Sequence, residues 1–416
     1  MTNTVGELHH SDVAHGAEQK AEGSLPEMKR PFLLRAVAVV LSLGLTLALA
    51  ETSLRLVGFS NPRTTERNDL VGTIRRPGVE VFSSHEGQAF ARFNSAGFRD
   101  EEWMLAKPPN TFRIAVLGAS YVEAAGVAFG DRFTEVLERE LHRSDAIGRK
   151  DVQVMSFAVA GWSTAQQLMC LRHFVWQYSP DMVIQVFTTG DLRRNSKALS
   201  NDDGRLFFTY VNGTLTPDDS FRQSPAHRRS WLVDAAFAVI DRSKSAQLAY
   251  KFWQVRASAR QRAVIAETAD AIGAGEEVGP WVYAAPTHPL REEAWKITED
   301  LLTLASNETS QHGAQYLVLT LSNGIQVHPD SALREEFTQR VGVSDLFYPE
   351  RRIAAAGQRE GFAVVNLAPM LLEYAQNSGV FPHGFEDGHR WGHWNVDGHR
   401  EAGRHVAEQV RMLLAK

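Results

Sequence analysis

Apolar runs of strand length recur along the chain from residue 112 onwards, and segments with helical spacing separate them. Five such runs lie at 112–117, 151–161, 181–190, 314–321 and 362–367. At 130–141, for example, apolar residues recur every three or four positions, which is typical of a helix with one buried face. Strands that alternate with helices predict a parallel sheet with helices on both faces, a three-layer α/β/α sandwich.

A long apolar segment near the N-terminus has a different pattern, without a polar face. Ala36–Ala50 carries no charged residue, and Pro31–Leu34 extends it if Arg35 reaches towards the lipid headgroups. The resulting stretch of about 20 residues is long enough to span a bilayer as a helix. We therefore predict a transmembrane signal anchor at 31–50.

The residues that flank this segment predict its orientation. Residues 1–30 are polar, rich in His, Glu and Gly, and typical of a disordered tail. Lys29, Arg30 and Arg35 lie on the N-terminal side, so the positive-inside bias predicts a cytoplasmic tail and an extracytoplasmic, periplasmic main domain. Ala48–Ala50 resembles a small-x-small cleavage site, so a cleaved signal peptide is the alternative.

The rest of the chain divides into a lead-in and a main domain with an insertion. Residues 51–110 are rich in Arg, Pro and Gly and end at the breaker 107–111, so the sheet domain is predicted at 111–416. An insertion of about 197–305 separates the third and fourth strands, and Asn212-Gly213 within it predicts a hairpin turn. This insertion is either part of the substrate surface or a structural appendage.

Composition narrows the functional classes. Hydrophobic content of 44% and charged content of 22% fit a globular domain with a substantial core. The net charge of −5 argues against broad nucleic-acid binding, which needs a basic surface. The single cysteine, Cys170, excludes an intrachain disulfide and a CxxC metal or redox site, and is expected in the core.

A serine and a histidine are placed where they could meet. Gly118-Ala119-Ser120 follows the first strand, and sites in parallel sheets form at the carboxyl ends of strands. Ser120 is therefore either a helix cap or a nucleophile. His393 precedes the final amphipathic helix and can reach across the top of the sheet to accept the serine proton.

Four ordered blocks resemble the SGNH/GDSL hydrolase family over about residues 93–416. They are VLGASYVEA, FAVAGWSTAQQL, FTTGDLRRNS and HWNVDGH. The stretches at 94–100, 326–330 and 345–349 are similar to the membrane-anchored, exopolysaccharide-associated branch, with alginate O-acetyltransferase-like proteins as relatives. The resemblance implies the flavodoxin-like SGNH sandwich. It also implies that Ser120 attacks an ester, that His393 is the base, and that the backbone N–H groups of Ser120 and Gly161 hold the oxyanion.

Three positions depart from the family pattern. Ala119 replaces the usual Asp before the serine. The third block lacks the usual oxyanion Asn, because Asn195 lies too far along and Asp191 is expected to orient the loop instead. The acid that the family places three residues before the histidine is also missing. Asp387, with Glu386 behind it, is the candidate substitute, and a backbone carbonyl that leaves a Ser–His dyad is the alternative.

The resemblance therefore implies a serine esterase that hydrolyses acyl esters, with acetyl groups on an extracytoplasmic polysaccharide as the expected substrate. Two alternatives stay open: a polysaccharide O-acyltransferase that uses the same acyl-enzyme, and a non-catalytic carbohydrate-binding scaffold. No cofactor is implied, and the C-terminal histidines fit a catalytic base better than a metal site because no HExxH spacing occurs. Trp391 and Trp394 either stack on a sugar ring or pack in the core.

Overall fold

The computed structural model describes residues 29–83, 86–143, 148, 151–200, 202–269, 279–385 and 391–415, with side chains from residue 32 onwards except at 258–269. The predicted tail at 1–28 and the candidate acids Glu386 and Asp387 lie outside the described residues. Two compact units make up the chain, Met1–Val57 and Gly58–Lys416.

The described part of the first unit is one helix, α1 (Lys29–Leu56). Its stretch Phe32–Leu56 has 25 residues and a mean hydropathy of 2.3, and is long and apolar enough to cross a membrane. The helix thus continues past residue 50, where the sequence pattern predicted the end of the span. A salt bridge between Glu51 and Arg55 lies in this extension.

The second unit contains eleven strands among the described residues. They are β1 (Thr65–Asn68), β2 (Gly72–Arg75), β3 (Glu80–Ser83), β4 (Ala89–Arg92), β5 (Thr111–Gly118), β6 (Asp151–Ala158), β7 (Met182–Phe187), β8 (Phe207–Val211), β9 (Thr214–Asp218), β10 (Gln315–Thr320) and β11 (Ala363–Asn366). Strands β5, β6, β7, β10 and β11 correspond to the five apolar runs, which confirms their prediction as strands.

The helices between and after these strands complete the alternation. They are α2 (Ser120–Glu123), α3 (Phe133–His142), α4 (Thr164–Cys170), α5 (Gly190–Asn195), α6 (Lys197–Ser200), α7 (Pro225–Arg228), α8 (Ser230–Ile240), α9 (Lys244–Ala269), α10 (Pro289–Gln311), α11 (Ser331–Val341), α12 (Tyr348–Glu360), α13 (Leu367–Ser378) and α14 (Val396–Leu414).

The central sheet has the strand order β11-β10-β7-β5-β6, and all its pairings are parallel. Every residue of β5 and β7 is buried, as expected for central strands covered on both faces. Strand β5 lies between β6 and β7, so the residues after β5 emerge at the sheet's carboxyl edge between the ends of two neighbouring strands.

Side chains that alternate along β5 enter two separate cores. Ala115 and Leu117 join a cluster with residues of α4, α10 and α12, whereas Ile114 and Val116 join one with residues of α3, α13 and α14. Successive side chains of a strand point to opposite faces, so the two clusters are the two interfaces of an α/β/α sandwich. The predicted fold class is confirmed.

The lead-in and the insertion are both tied to this sandwich. From Gly58 on, the lead-in belongs to the same compact unit and forms the hairpins β1–β2 and β3–β4. The insertion contains the hairpin β8–β9, whose turn residues Asn212 and Gly213 both have positive φ, as a tight hairpin turn requires. Its last helix, α10, packs on the sheet through Trp295, Leu301 and Leu302.

Candidate active site

Ser120 lies at the start of α2, directly beyond the end of β5. Gly118 permits the tight turn, because a Cβ there would lie 2.1 Å from Cγ2 of Val122. Ala124 closes the short helix in the left-handed region, at φ 50°. A buried strand and a four-residue helix thus hold a half-buried serine at the carboxyl edge of the sheet.

His393 lies in the loop before α14, and the backbone of that loop is tied at several points. Asn395 caps the helix, since its Oδ1 accepts hydrogen bonds from the N–H groups of Asp397 and Gly398, both at 3.1 Å. The N–H of Gly384 donates to the carbonyl of His393 at 2.9 Å. The Asn-x-x-Gly pattern after the histidine therefore builds a helix start that fixes the imidazole in position.

The serine and the histidine meet, and a third residue joins them. Ser120 Oγ lies 2.6 Å from His393 Nε2, and the carboxylate of Glu86 is hydrogen-bonded to Nδ1 of the same ring. The ring of Tyr121 lies 4.5 Å from the imidazole, centroid to centroid. Side-chain exposure is 36% for His393 and 27% for Glu86, so the group borders solvent. This is the geometry of a nucleophile, a base and an orienting acid.

Glu86 belongs to the lead-in, between β3 and β4, and glycines make room for it. A Cβ on Gly126 would lie 2.0 Å from the Glu86 carbonyl oxygen, and a Cβ on Gly392 would lie 2.5 Å from Glu86 Oε1. Gly392 directly precedes His393 and has no side chain. The Glu86 carboxylate can therefore approach the His393 ring. Sequence reasoning missed Glu86, since no periodicity or motif distinguishes it.

A cleft of about 400 Å³ contains the three residues. Its other walls come from the lead-in, the loop after α2, the loop after β6 and the segments around His393, with lining residues Arg75, Ser83, Glu123, Ala124, Ala125, Gly126, Val127, Ala160, Phe385, Trp394 and His399. The residues at 124–127, Ala-Ala-Gly-Val, line this cleft beside Ser120.

Gly161, the predicted second oxyanion donor, lies in the loop after β6. Its φ of 88° is in the left-handed region, and Arg205 Nη1 donates to its carbonyl at 2.8 Å. The adjacent Ala160 lines the cleft and donates its N–H to Glu123 Oε2 at 2.9 Å. Glu123 is also paired with Arg75. Glu123 thus holds the loop that carries Gly161 beside the helix that carries Ser120.

The third block stabilises a loop. Asp191 is buried and accepts a hydrogen bond from the N–H of Thr188 at 3.1 Å, and burial raises the pKa of its carboxyl to about 6. Asn195 is also buried, accepting from the N–H of Ala165 and donating to Thr298 Oγ1. Both side chains are engaged in structural hydrogen bonds, in agreement with the loop-orienting role expected for Asp191.

The motif at 94–100 contributes Arg99, whose hydrogen bonds hold residues that line the cleft. The buried Arg99 donates to the carbonyls of Phe90, Glu123, Ala124 and Val127, so one guanidinium holds the loop that follows Ser120. Burial, the largest cause, together with the nearby charge of Arg132, lowers the pKa of Arg99 to about 10.

A buried polar chain fixes the residues on either side of His393. Trp394 Nε1 donates to Ser322 Oγ at 2.9 Å, and Ser322 lies 2.8 Å from His383 Nε2. His383 Nδ1 is 2.8 Å from the carbonyl of Gly392, and burial lowers the pKa of His383 to about 4. A neutral ring that donates from Nδ1 and accepts at Nε2 satisfies every member of the chain.

The two tryptophans differ in exposure. Trp394 is 0% exposed, so it packs in the core and cannot stack on a sugar. Trp391 is half-buried and stacks on His328 with ring centroids 5.0 Å apart. His399 is buried, lines the cleft, and accepts from the N–H of Phe133 at 3.3 Å. Within the described ranges, no three His, Cys, Asp or Glu side chains are grouped as metal ligands would be.

No family model matches the chain, and a search of curated protein sequences finds no match. Among solved structures, the chain is similar to a catalytic mutant of an acetylxylan esterase from Geobacillus stearothermophilus, at 10% identity, with 74% of this chain and 96% of that chain covered and a TM-score of 0.37. It is similar to a lipase/acylhydrolase from Enterococcus faecalis, at 12% identity, 73% and 96% coverage and a TM-score of 0.35. A third is an alpha/beta hydrolase enzyme from the metagenome of Lake Arreo, Spain, at 13% identity, 76% and 100% coverage and a TM-score of 0.37.

Proposed function

We propose that the protein is a serine esterase that hydrolyses small acyl esters. The observation that carries the proposal is the Ser120 Oγ to His393 Nε2 distance of 2.6 Å, with the Glu86 carboxylate on Nδ1 of the same ring. A buried structural Ser–His pair would not need an open cleft of about 400 Å³ around it.

In the proposed reaction, Ser120 Oγ attacks the ester carbonyl while its proton passes to His393 Nε2. The imidazolium that forms is stabilised by Glu86, which accepts the Nδ1–H and fixes the tautomer. His393 then returns the proton to the leaving alcohol oxygen. A water molecule then attacks the acyl-enzyme carbonyl while its proton passes to His393 Nε2. The bond between the acyl carbon and Ser120 Oγ breaks, His393 returns the proton to Oγ, and the acid is released.

The tetrahedral oxyanion needs donors on the side of Ser120 away from the histidine. We assign this role to the backbone N–H groups of Ser120 and Gly161. Ser120 opens α2, and the first N–H groups of a helix have no partner within it. Gly161 follows Ala160, which lines the cleft. Removal of one such donor typically reduces kcat by 10²–10³-fold.

The choice of Glu86 as the orienting acid replaces the two alternatives considered from the sequence, Asp387 and a backbone carbonyl. The Glu86 carboxylate is hydrogen-bonded to His393 Nδ1, and Asp387 or a backbone carbonyl could orient the ring only through the same atom. Asp387 remains a residue to be tested by substitution.

Labelling with a fluorophosphonate probe tests the proposal. The wild-type protein should label at Ser120, and Ser120→Ala should abolish both labelling and the release of acetate from p-nitrophenyl acetate. Ser83→Ala is the matched control, because Ser83 lines the same cleft but has no role in the proposed mechanism. Full activity in Ser120→Ala would refute the assignment, and a folded wild-type protein that never labels would favour the non-catalytic scaffold.

The compartment and the natural substrate are part of the same proposal. The apolar helix Phe32–Leu56 supports a single-pass membrane anchor with the domain outside the cytoplasm, where acetylated polysaccharide is a fitting substrate. Transfer to a sugar uses the same acyl-enzyme. Acetate release measured against product acetylation, with a polysaccharide acceptor present, separates the hydrolase from the transferase.

A further inference from the structure

The insertion carries a helix whose exposure contradicts its composition. Helix α8 (SWLVDAAFAVI) has a single charged residue, Asp234, and apolar side chains around its whole circumference. Such a helix is normally buried. Yet Phe237 is the one buried residue of α8, while Trp231, Leu232 and Val239 are 65%, 48% and 67% exposed.

The next helix extends this apolar surface. Phe252, Trp253 and Val255 of α9 are 64%, 63% and 58% exposed. In the described part of Gly58–Lys416, seven of the fifteen exposed large hydrophobic side chains lie on α8 and α9. Single exposed apolar residues are normal, but a concentration of this kind marks a surface that something covers. We call α8 together with residues 244–257 of α9 the apolar hairpin.

The residues that follow the candidate membrane span pack directly on this hairpin. The N–H of Asn61 donates to Gln247 Oε1 at 2.9 Å, and the N–H of Arg63 donates to Asp241 Oδ1 at 3.2 Å. Lys251 lies over the ring of Phe59, 5.9 Å from its centroid. Helix α1 ends at Leu56, so only Val57 and Gly58 separate it from Phe59.

This short connection limits how far the hairpin can lie from a membrane. An extended chain covers at most about 3.6 Å per residue, so Phe59 lies within about 11 Å of the end of α1 along the chain. If Phe32–Leu56 spans a bilayer, the point where the hairpin holds the chain is therefore at the membrane surface.

Charge on the hairpin also fits an anionic lipid surface. Residues 230–257 contain four Lys or Arg and two Asp, and Arg228 and Arg229 directly precede them, whereas the whole chain has a net charge of −5. Both acids are paired within the fold, Asp234 with Arg63 and Asp241 with Arg76. Exposed Trp side chains beside Lys and Arg are typical of elements that lie in the headgroup region.

We propose that the apolar hairpin docks into the lipid headgroup region of the membrane that α1 anchors, and so fixes the catalytic domain against the bilayer surface. This inference rests on the proposed membrane anchor at Phe32–Leu56, but it is independent of the esterase activity. Of the possible occupants, lipid is favoured over a second copy or another protein by the chain connection and the basic charge.

Site-specific fluorescence in nanodiscs tests the proposal with the full-length chain. The native Cys170 is fully buried, so an environment-sensitive dye can be attached to single introduced cysteines. Trp231→Cys and Trp253→Cys probe the hairpin, Leu41→Cys probes the span, and Met412→Cys on α14 is the exposed control. The discs contain phosphatidylcholine and phosphatidylglycerol, hold one protein copy each, and carry spin-labelled lipids as quenchers.

We expect blue-shifted emission and severalfold quenching at positions 231, 253 and 41, and emission like that in water at 412. Water-like emission at 231 and 253 with quenching at 41 would overturn the hairpin proposal and leave the anchor standing. No quenching at 41 would instead refute the anchor. Protection of 231 and 253 only in discs that hold two copies would identify a second chain as the occupant and would also overturn the proposal.

Discussion

Replacement of Glu86 by Gln tests the one member of the proposed triad that no sequence pattern indicated. The amide keeps the size and the hydrogen-bonding oxygen of the side chain but removes its charge. In the structure, the carboxylate is hydrogen-bonded to His393 Nδ1, while Nε2 faces Ser120. The variant should therefore fold normally and lose the stabilisation of the imidazolium that forms in the transition state.

The size of the loss follows from the charge separation and the exposure. Two opposite unit charges about 4 Å apart attract by about 4 kcal/mol at the effective dielectric constant of a protein surface. The site borders solvent, with Glu86 27% and His393 36% exposed, so we discount this value to about 2–3 kcal/mol. We expect kcat to fall by roughly 30- to 200-fold, less than the 10⁴-fold seen where the acid is deeply buried.

The assay is p-nitrophenyl acetate hydrolysis, with KM and the thermal midpoint measured on the same samples. Glu86→Gln should lower kcat with little change in KM or in the midpoint, and should slow fluorophosphonate labelling to a similar extent. Glu80→Gln is the matched control, because this neighbouring carboxylate on β3 is 66% exposed and pairs with Arg92.

The effect of Asp387→Asn on kcat, compared with that of Glu86→Gln, can refute the role assigned to Glu86. If Asp387 orients the histidine in solution, its substitution should lower kcat by the larger factor and Glu86→Gln should have little effect. That result would show that the contact between Glu86 and His393 does not serve catalysis.

Three further outcomes are expected from substitutions around the site. Gly392→Ala places a Cβ 2.5 Å from Glu86 Oε1 and should lower kcat by roughly tenfold or more at an unchanged fold. Gly130→Ala is the control and should leave kcat unchanged, because the space around its Cβ is open. Arg99→Met removes the charged donor of four carbonyls and should reduce the free energy of unfolding by about 1.5–3 kcal/mol in urea titrations. A loss under about 1 kcal/mol would contradict a role of Arg99 in holding the loop after Ser120. Burial holds the pKa of His383 near 4, below the value of about 6.5 in the unfolded chain. The unfolded state therefore takes up the proton first, and His383 should contribute a loss of roughly 3 kcal/mol of stability as the pH falls from 6.5 to 4. This contribution should disappear from the urea-unfolding pH profile of His383→Gln.

The main elements of the fold could be predicted from the sequence because they depend on local periodicity. Apolar runs of strand length and helical spacing are visible within ten or twenty residues, and their alternation implies a parallel sheet. Ser120 and His393 could be proposed as partners for a related reason. Each lies at a boundary of a predicted element, and the carboxyl ends of parallel strands share one edge of the sheet.

Other features depended on contacts between distant parts of the chain. Trp394 and Trp391 are three residues apart in sequence, yet Trp394 is fully buried, with its ring packed against Phe133, whereas Trp391 is half-buried against His328. The exposure of the apolar hairpin likewise has no local signature, since the composition of α8 alone predicts a buried helix.

The sequence by itself determined the sandwich, the position of Ser120 at a strand end, and the position of His393 before the last helix. Only the tertiary structure decided which carboxylate faces His393. Glu86 is 307 residues from His393 in sequence and lies in a loop between two short strands. It reaches the imidazole because Gly126 and Gly392, on two other loops, leave space for it. Such a fit depends on the close approach of three separate backbones, and no pattern of neighbouring residues encodes it.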